Sequence, residues 1–339
     1  MPLKRRDLFR YGGLGGGAGL LAGLIGTTGR AREAYGAKKD AAPADDEAFD
    51  CVGDPANSAY AQKYLPPSYV DATALDRAHT PPPFVASSAA RIHDVDLTVI
   101  ETTLEVANGT NMRVWAYGGT VPGPVLRATE GDLLRVALTN RTSARHTIHF
   151  HGAHDVGQDG LSWSDPGTTL ACEVEARPFG LHPYHCHTPP YAWHLSKGMY
   201  GTMIVDPAGG RPAAHEFVLC LCGWDTDGDG RNEFYGWNGL AGYYQKFPLK
   251  VPVGELVRLY LVNMVEYDPV ASFHLHAQTF DLYRSGTSAT PHEHTDVVTL
   301  GQTERAIIEF RLPRRGRYMF HPHQSRMADR GAMGWIVAI

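Results

Sequence analysis

From Ile92 onward the chain is written in short runs whose apolar residues alternate with polar ones, separated by Gly, Pro, Asn and Asp. VDLTVIETTLEV (95–106), MRVWAYGG (112–119), LLRVALTN (133–140), TLACEVEA (169–176) and GTMIVDP (201–207) form one series. FVLCLCGW (217–224), LVRLYLVNM (256–264), TFDLYRSG (279–286), AIIEFRL (306–312), RYMFHPH (317–323) and WIVAI (335–339) form a second. A period of two at that spacing predicts strands of a sandwich or barrel, with one face of each strand in a core. Residues 38–90, rich in Ala, Pro, Asp and Ser, lack the pattern and read as an extended arm. The predicted organisation is therefore a leader over 1–37, an arm over 38–90, and β domains over 91–207 and 208–339.

The two β series repeat each other in order. HFHG, HCH and GMYGTMIV in the first match HLHA, HPH and AMGWIVAI in the second. An internal repeat of about 120 residues explains the match.

Composition narrows the function. With 339 residues and 43% hydrophobic content, two domains can each bury a core. The net charge of -5 has no basic run behind it, which sets nucleic acid aside. The N-terminal KRRDLFRYGGLGGGAGLLAGLIG has paired arginines, Arg5 and Arg6, before an apolar stretch too short and weak to span a membrane stably. It resembles a twin-arginine export signal, which implies a periplasmic or extracellular protein. Of five cysteines, Cys51 and Cys172 could pair or remain free thiols. Cys220 and Cys222 are expected to stay unbonded and to point to opposite faces of their strand. Asp225 to Glu233, DTDGDGRNE, has the acidic spacing that begins a calcium loop, but Gly236 stands where the closing Glu belongs. A solvated turn is the expectation there.

Histidine is the outlier. Most of the 17 fall in four short segments, and clustering of that kind argues for metal. On a strand, His149 and His151 share a face while His146 points the other way. In HCH, His185 and His187 share a face and Cys186 turns to the opposite one. One side thus gathers His146, Cys186, His194 and Met199, the two imidazoles, thiolate and weak thioether of a blue copper site. The other side gathers His149, His151, His185 and His187. The second series adds His274, His276, His321 and His323 but lacks the blue set, since Ala271 and Pro322 stand where the first His and the Cys would be. His79, His93, His215, His292 and His294 stand alone and read as ordinary packing or surface residues. His154 and His182, beside the pairs, read as either support for ligands or packing.

On these four His pairs and the HCHTPPYAWHLSKGM loop, residues 91–339 resemble a two-domain multicopper oxidase, the small laccase kind. The resemblance implies an all-β chain of two consecutive cupredoxin-type Greek-key β-sandwich domains. It implies type 1 copper on His146, Cys186, His194 and Met199, type 2 copper on His149 and His274, and a binuclear type 3 pair on His151, His185, His187, His276, His321 and His323. That makes about four copper ions per chain. Electrons from a phenol, aromatic amine or metal ion would enter near His194 and pass through Cys186 to a cluster that reduces dioxygen to water. Asp159, in the QDG after HFHG, matches the acidic residue the family keeps near the cluster. The cluster halves lie on different domains, so the resemblance also implies a head-to-tail homotrimer.

Two other readings compete. Copper nitrite reductase has a similar blue loop, but it uses three His on a single type 2 copper and an Asp where this chain has His149. A non-enzymatic copper or electron-transfer protein would leave eight paired histidines idle, and with only 8 Met the chain has no Met-rich copper-handling segment.

Overall fold

The computed structural model describes residues 79–339 other than 88 and 161. The export-type signal, Cys51 and most of the 38–90 arm lie outside the described residues. Among the described residues, nineteen strands build four sheets, two per half. In the first half, β1 (Ile92–Ala107), β2 (Thr110–Tyr117), β4 (Leu133–Asn140) and β6 (Thr169–Glu175) form a sheet in the order β2-β1-β4-β6. Facing it are β3 (Leu126–Thr129), β5 (His149–Phe150), β7 (Gly180–His185) and β8 (Tyr200–Asp206), in the order β3-β8-β7-β5.

The second half repeats this arrangement with additions. One sheet runs β10 (Phe234–Trp237), β9 (His215–Trp224), β12 (Leu256–Asn263), β17 (Arg305–Arg311), β14 (Phe280–Arg284), β15 (Glu293–Thr295). The other runs β11 (Leu249–Val251), β19 (Gly334–Ala338), β18 (Gly316–His321), β13 (Val270–Leu275), β16 (Val297–Gly301). The parallel pair β1–β4 has its counterpart in β9–β12, and β3–β8 in β11–β19. The antiparallel pair β5–β7 sets His149 opposite His185, and β13–β18 sets His274 opposite His321. The repeat in the sequence is a repeat in strand register. The fold is all-β, in two cupredoxin-like sandwiches.

Each sandwich has its own core, and a third apolar cluster joins them. β9 shows why its sequence is nearly continuous in apolar residues. Leu219 and Leu221 face the second core, while Val218, Cys220 and Cys222 face the joining cluster with Val106, Val114 and Val121 of the first half. A strand covered on both sides has no polar face to display. This corrects the expectation for the two cysteines. Lying two apart they share one face, although both are free thiols as expected. Cys172 is also a free thiol, half-buried against the first core.

Buried ions reinforce the junction. Arg127 on β3 binds Asp206 at 2.6 Å and Glu216 at 2.7 Å. Glu216 also accepts from Arg258 at 2.8 Å and from the Tyr260 hydroxyl at 2.6 Å, and Arg258 continues to Glu309 at 2.6 Å. Burial of such charges is tolerable only when every one is paired, as here. Among the described residues, no helix is long and apolar enough to cross a membrane.

Candidate metal centres

β5, β7 and the loop that follows β7 deliver the first set of chemistry-bearing side chains. His146 precedes β5, Cys186 follows β7, and His194 lies on the short helix α1 (Tyr191–Ser196). The structure brings these three together, with Cys186 Sγ 3.3 Å from His194 Nδ1 and 3.9 Å from His146 Nδ1. All three are almost wholly buried, as is Met199, which packs in the same core as Cys186. The Cys186 N–H donates to the Met199 carbonyl at 3.0 Å, tying the two ends of the loop. Gly198 permits that closure. Its φ is +98°, and a Cβ there would sit 2.5 Å from Val121.

Burial decides the protonation of this set. It pulls His146 down to about 3, with His194 adding repulsion, and pulls His194 down to about 4. The Cys186 thiol is pushed up by burial, so a cation is needed to draw out the thiolate. The Thr142 hydroxyl lies 2.8 Å from His146 Nε2, leaving Nδ1 turned toward sulfur. Trp115 packs on both imidazoles, with ring centroids 4.9 Å from His146 and 4.8 Å from His194. Two soft or borderline imidazoles, one thiol and one thioether in a dry pocket fit copper. Beside His194 a cavity of about 420 Å³ opens to the surface, lined by Trp163, Pro189, Pro190 and Trp193.

The alternate face of the same strands forms a histidine quartet. His149, His151 and His185 offer nitrogens within 4.8 Å of one another. His151 Nε2 lies 2.8 Å from His185 Nε2, and the His187 ring centroid is 5.5 Å from that of His149. Burial and neighbouring imidazoles hold His151 near about 3 and His185 near about 4, so the lone pairs stay available to a metal. His185 Nδ1 donates to the Cys186 carbonyl at 2.9 Å, which fixes its tautomer and links the quartet to the sulfur. Tyr191 of α1 stacks on His187 at 4.6 Å, while His194 on the same helix faces Cys186.

The second half presents a matching quartet. His276 Nε2 lies 2.9 Å from His321 Nε2, and His321 Nδ1 donates to the Pro322 carbonyl at 2.8 Å. His274 centroids fall 4.8 Å from His276 and 5.2 Å from His323. His276 and His323 are exposed, unlike their counterparts in the first half. Among the described residues, no ring of one quartet contacts a ring of the other.

Two carboxylates flank the quartets. Asp159 Oδ1 is 2.8 Å from His149 Nδ1. Gly160, at φ +66°, brings that loop so close that a Cβ would meet His149 Cβ at 3.0 Å. Asp296 plays a comparable part in the second half, accepting from His274 Nδ1 through its carbonyl at 2.8 Å, with its carboxylate 3.7 Å away. Sequence reasoning missed Asp296 and Trp115, because each lies more than twenty residues along the chain from the ligand histidine it touches. His182, wholly buried, contacts the His151 carbonyl at 2.7 Å and the Pro178 carbonyl at 2.8 Å, so it supports the quartet from behind.

The isolated histidines have ordinary partners. His93 pairs with Asp132, His215 with Glu255 and His294 with Asp281, while His79 packs on Tyr244. Asp225, Asp227 and Asp229 lie together in a largely exposed turn whose backbone amides Asp225 already caps.

Two family models, both described as multicopper oxidase, match residues 98–209 and 225–338. A crystal structure of a multicopper oxidase is similar at a TM-score of 0.73 and 40% identity, covering 82% of this chain and 98% of that one. A copper nitrite reductase from Nitrosomonas europaea is similar at a TM-score of 0.67 and 30% identity, covering 73% of this chain and 94% of that one. The copper-containing nitrite reductase of Neisseria meningitidis is 29% identical over 293 residues, spanning 79% of this chain and 74% of that protein.

Proposed function

Because the chain belongs to the multicopper oxidase family, we propose that it takes single electrons from a reducing substrate beside His194 and uses them to reduce dioxygen to water. Copper held by the residues described above would supply one-electron transfer and activation of oxygen. The observation that carries this reading is the pair of matched quartets, eight imidazoles in repeated register. His146, Cys186, His194 and Met199 would hold the electron-accepting ion. His149 and His274 would hold a single ion, and His151, His185, His187, His276, His321 and His323 a pair.

The chain's own residues supply a route. Cys186 leads by backbone to His185 and His187, and the His185 Nδ1–H to Cys186 carbonyl bond shortens it. Asp159, touching His149, is placed to hold a proton for the oxygen chemistry. The cavity of about 420 Å³ over His194 would be the place where a phenol, an aromatic amine or a hydrated metal ion delivers its electron.

The exposed second quartet, out of ring contact with the first, supports a homotrimer in which one subunit's first quartet meets the next subunit's second. Size measurement on copper-loaded, active protein tests this, and a fully active monomer would sink it. Export by the Arg5–Arg6 leader, to a periplasmic or extracellular location, belongs to the same reading.

Nitrite reduction is the second reading, favoured by the relatives named copper nitrite reductase. It leaves most of the eight imidazoles without a task. Oxygen uptake measured across phenols, aromatic amines and metal ions, beside nitrite consumption, separates the two. The proposal expects oxygen uptake, and nitrite turnover without oxygen uptake overturns it.

A further inference from the structure

His154 stands outside the eight paired imidazoles, yet its ring lies nearly parallel on that of His149, with centroids 5.0 Å apart and planes 19° apart. Its Nε2 accepts the backbone N–H of Phe150. A neutral imidazole that accepts at one nitrogen carries its proton on the other, so Nδ1 is a donor. That donor is buried and has no hydrogen-bond partner among the described residues. A buried donor left unpaired is costly, and native structures rarely keep one without a use. A ring nitrogen of His154, a ring nitrogen of His149 and a carboxylate oxygen of Asp159 all lie within 4.8 Å of one another. Such a span is closed by one water molecule.

We propose that His154 is a positioning residue, whose Nδ1–H donates to the Asp159 carboxylate directly or through one water, so that Asp159 is held between His149 and His154. The stacked ring fixes the plane of His149, and the shared carboxylate fixes its rotation. This inference rests on His149 being a copper ligand, as the functional reading has it.

Electron paramagnetic resonance of the copper-loaded full chain tests it. His154→Phe keeps a stacking ring but removes the donor, whereas His154→Gln keeps both an acceptor for Phe150 N–H and a donor. The expected result is an unchanged blue absorption and copper content in His154→Phe, an altered type 2 hyperfine splitting, and reoxidation of the reduced protein by oxygen slowed about tenfold. His154→Gln should restore most of both. In the double variant with Asp159→Asn, the loss from His154→Phe should largely vanish, since the two side chains act as one unit. A type 2 signal unchanged in His154→Phe, or losses that multiply independently in the double variant, overturns this inference alone. Wild-type protein with no type 2 signal overturns the functional reading beneath it as well.

Discussion

Cys186 is the residue on which both sides of the site turn. Its sulfur faces His146 and His194, and its neighbours His185 and His187 face the quartet. Cys186→Ser should abolish blue colour and substrate oxidation while most quartet copper stays bound, as absorption and metal analysis would record. Asp159→Asn should leave the blue band intact and slow oxygen reduction roughly 100-fold or more, the lower end of the usual contribution of one proton-handling group. Unchanged turnover would remove Asp159 from the mechanism. pH offers a test of the copper-free protein. His146 and His151 are held near about 3, and His154, His185 and His194 near about 4, by burial. The unfolded chain, with histidines near 6.5, binds more protons below that pH. These groups therefore contribute stability fully above about pH 6.5 and lose it as pH falls toward 4. Thermal melts of the copper-free protein should drop from pH 7 to pH 5, and drop at least as much with copper bound, since the metal keeps the same imidazoles deprotonated in the folded state. The parity of HxH and HCH made these residues legible in the sequence. The unpartnered nitrogen of His154 was not, because it depends on a backbone N–H aimed by the fold.

At the scale of elements, the strands were readable from their alternation, and the HLH and HPH segments fell at the ends of β13 and β18, with His274 opposite His321. β9 was read as a strand, but Cys220 and Cys222 were placed on opposite faces, whereas residues two apart on a strand share one. The short β15 and the helix α1 gave no periodic signal of their own, being three and six residues long. The ion network around Glu216 was invisible too, because its members come from β3, β8, β9, β12 and β17. Glu216→Ala leaves Arg127 and Arg258 underpaired in a largely buried setting. The copper-free protein should lose about 3 kcal/mol of stability by denaturant titration, the scale for breaking a buried pair. A loss below about 0.5 kcal/mol, typical of exposed pairs, would show that the junction does not depend on it.

Across the whole molecule, two sandwiches of one topology have diverged in use. The first keeps a thiol, a thioether and two imidazoles on one side of its strands and a quartet on the other. The second retains only a quartet, opened to the surface through His276 and His323. That asymmetry was legible from Ala271 and Pro322 alone, whereas Asp296, placed by a chain reversal on His274, was not. On the proposed function, each chain would offer half of a cluster twice over, to be completed by another copy. On the proposed function, these eight imidazoles would hold three copper ions, two of them magnetically paired, beside one blue ion. Total copper per chain, set against the copper detected by electron paramagnetic resonance, tests it most directly. About four ions per chain with about half of them silent is the expected result, whereas about two ions per chain, all of them detected, would overturn the proposed function.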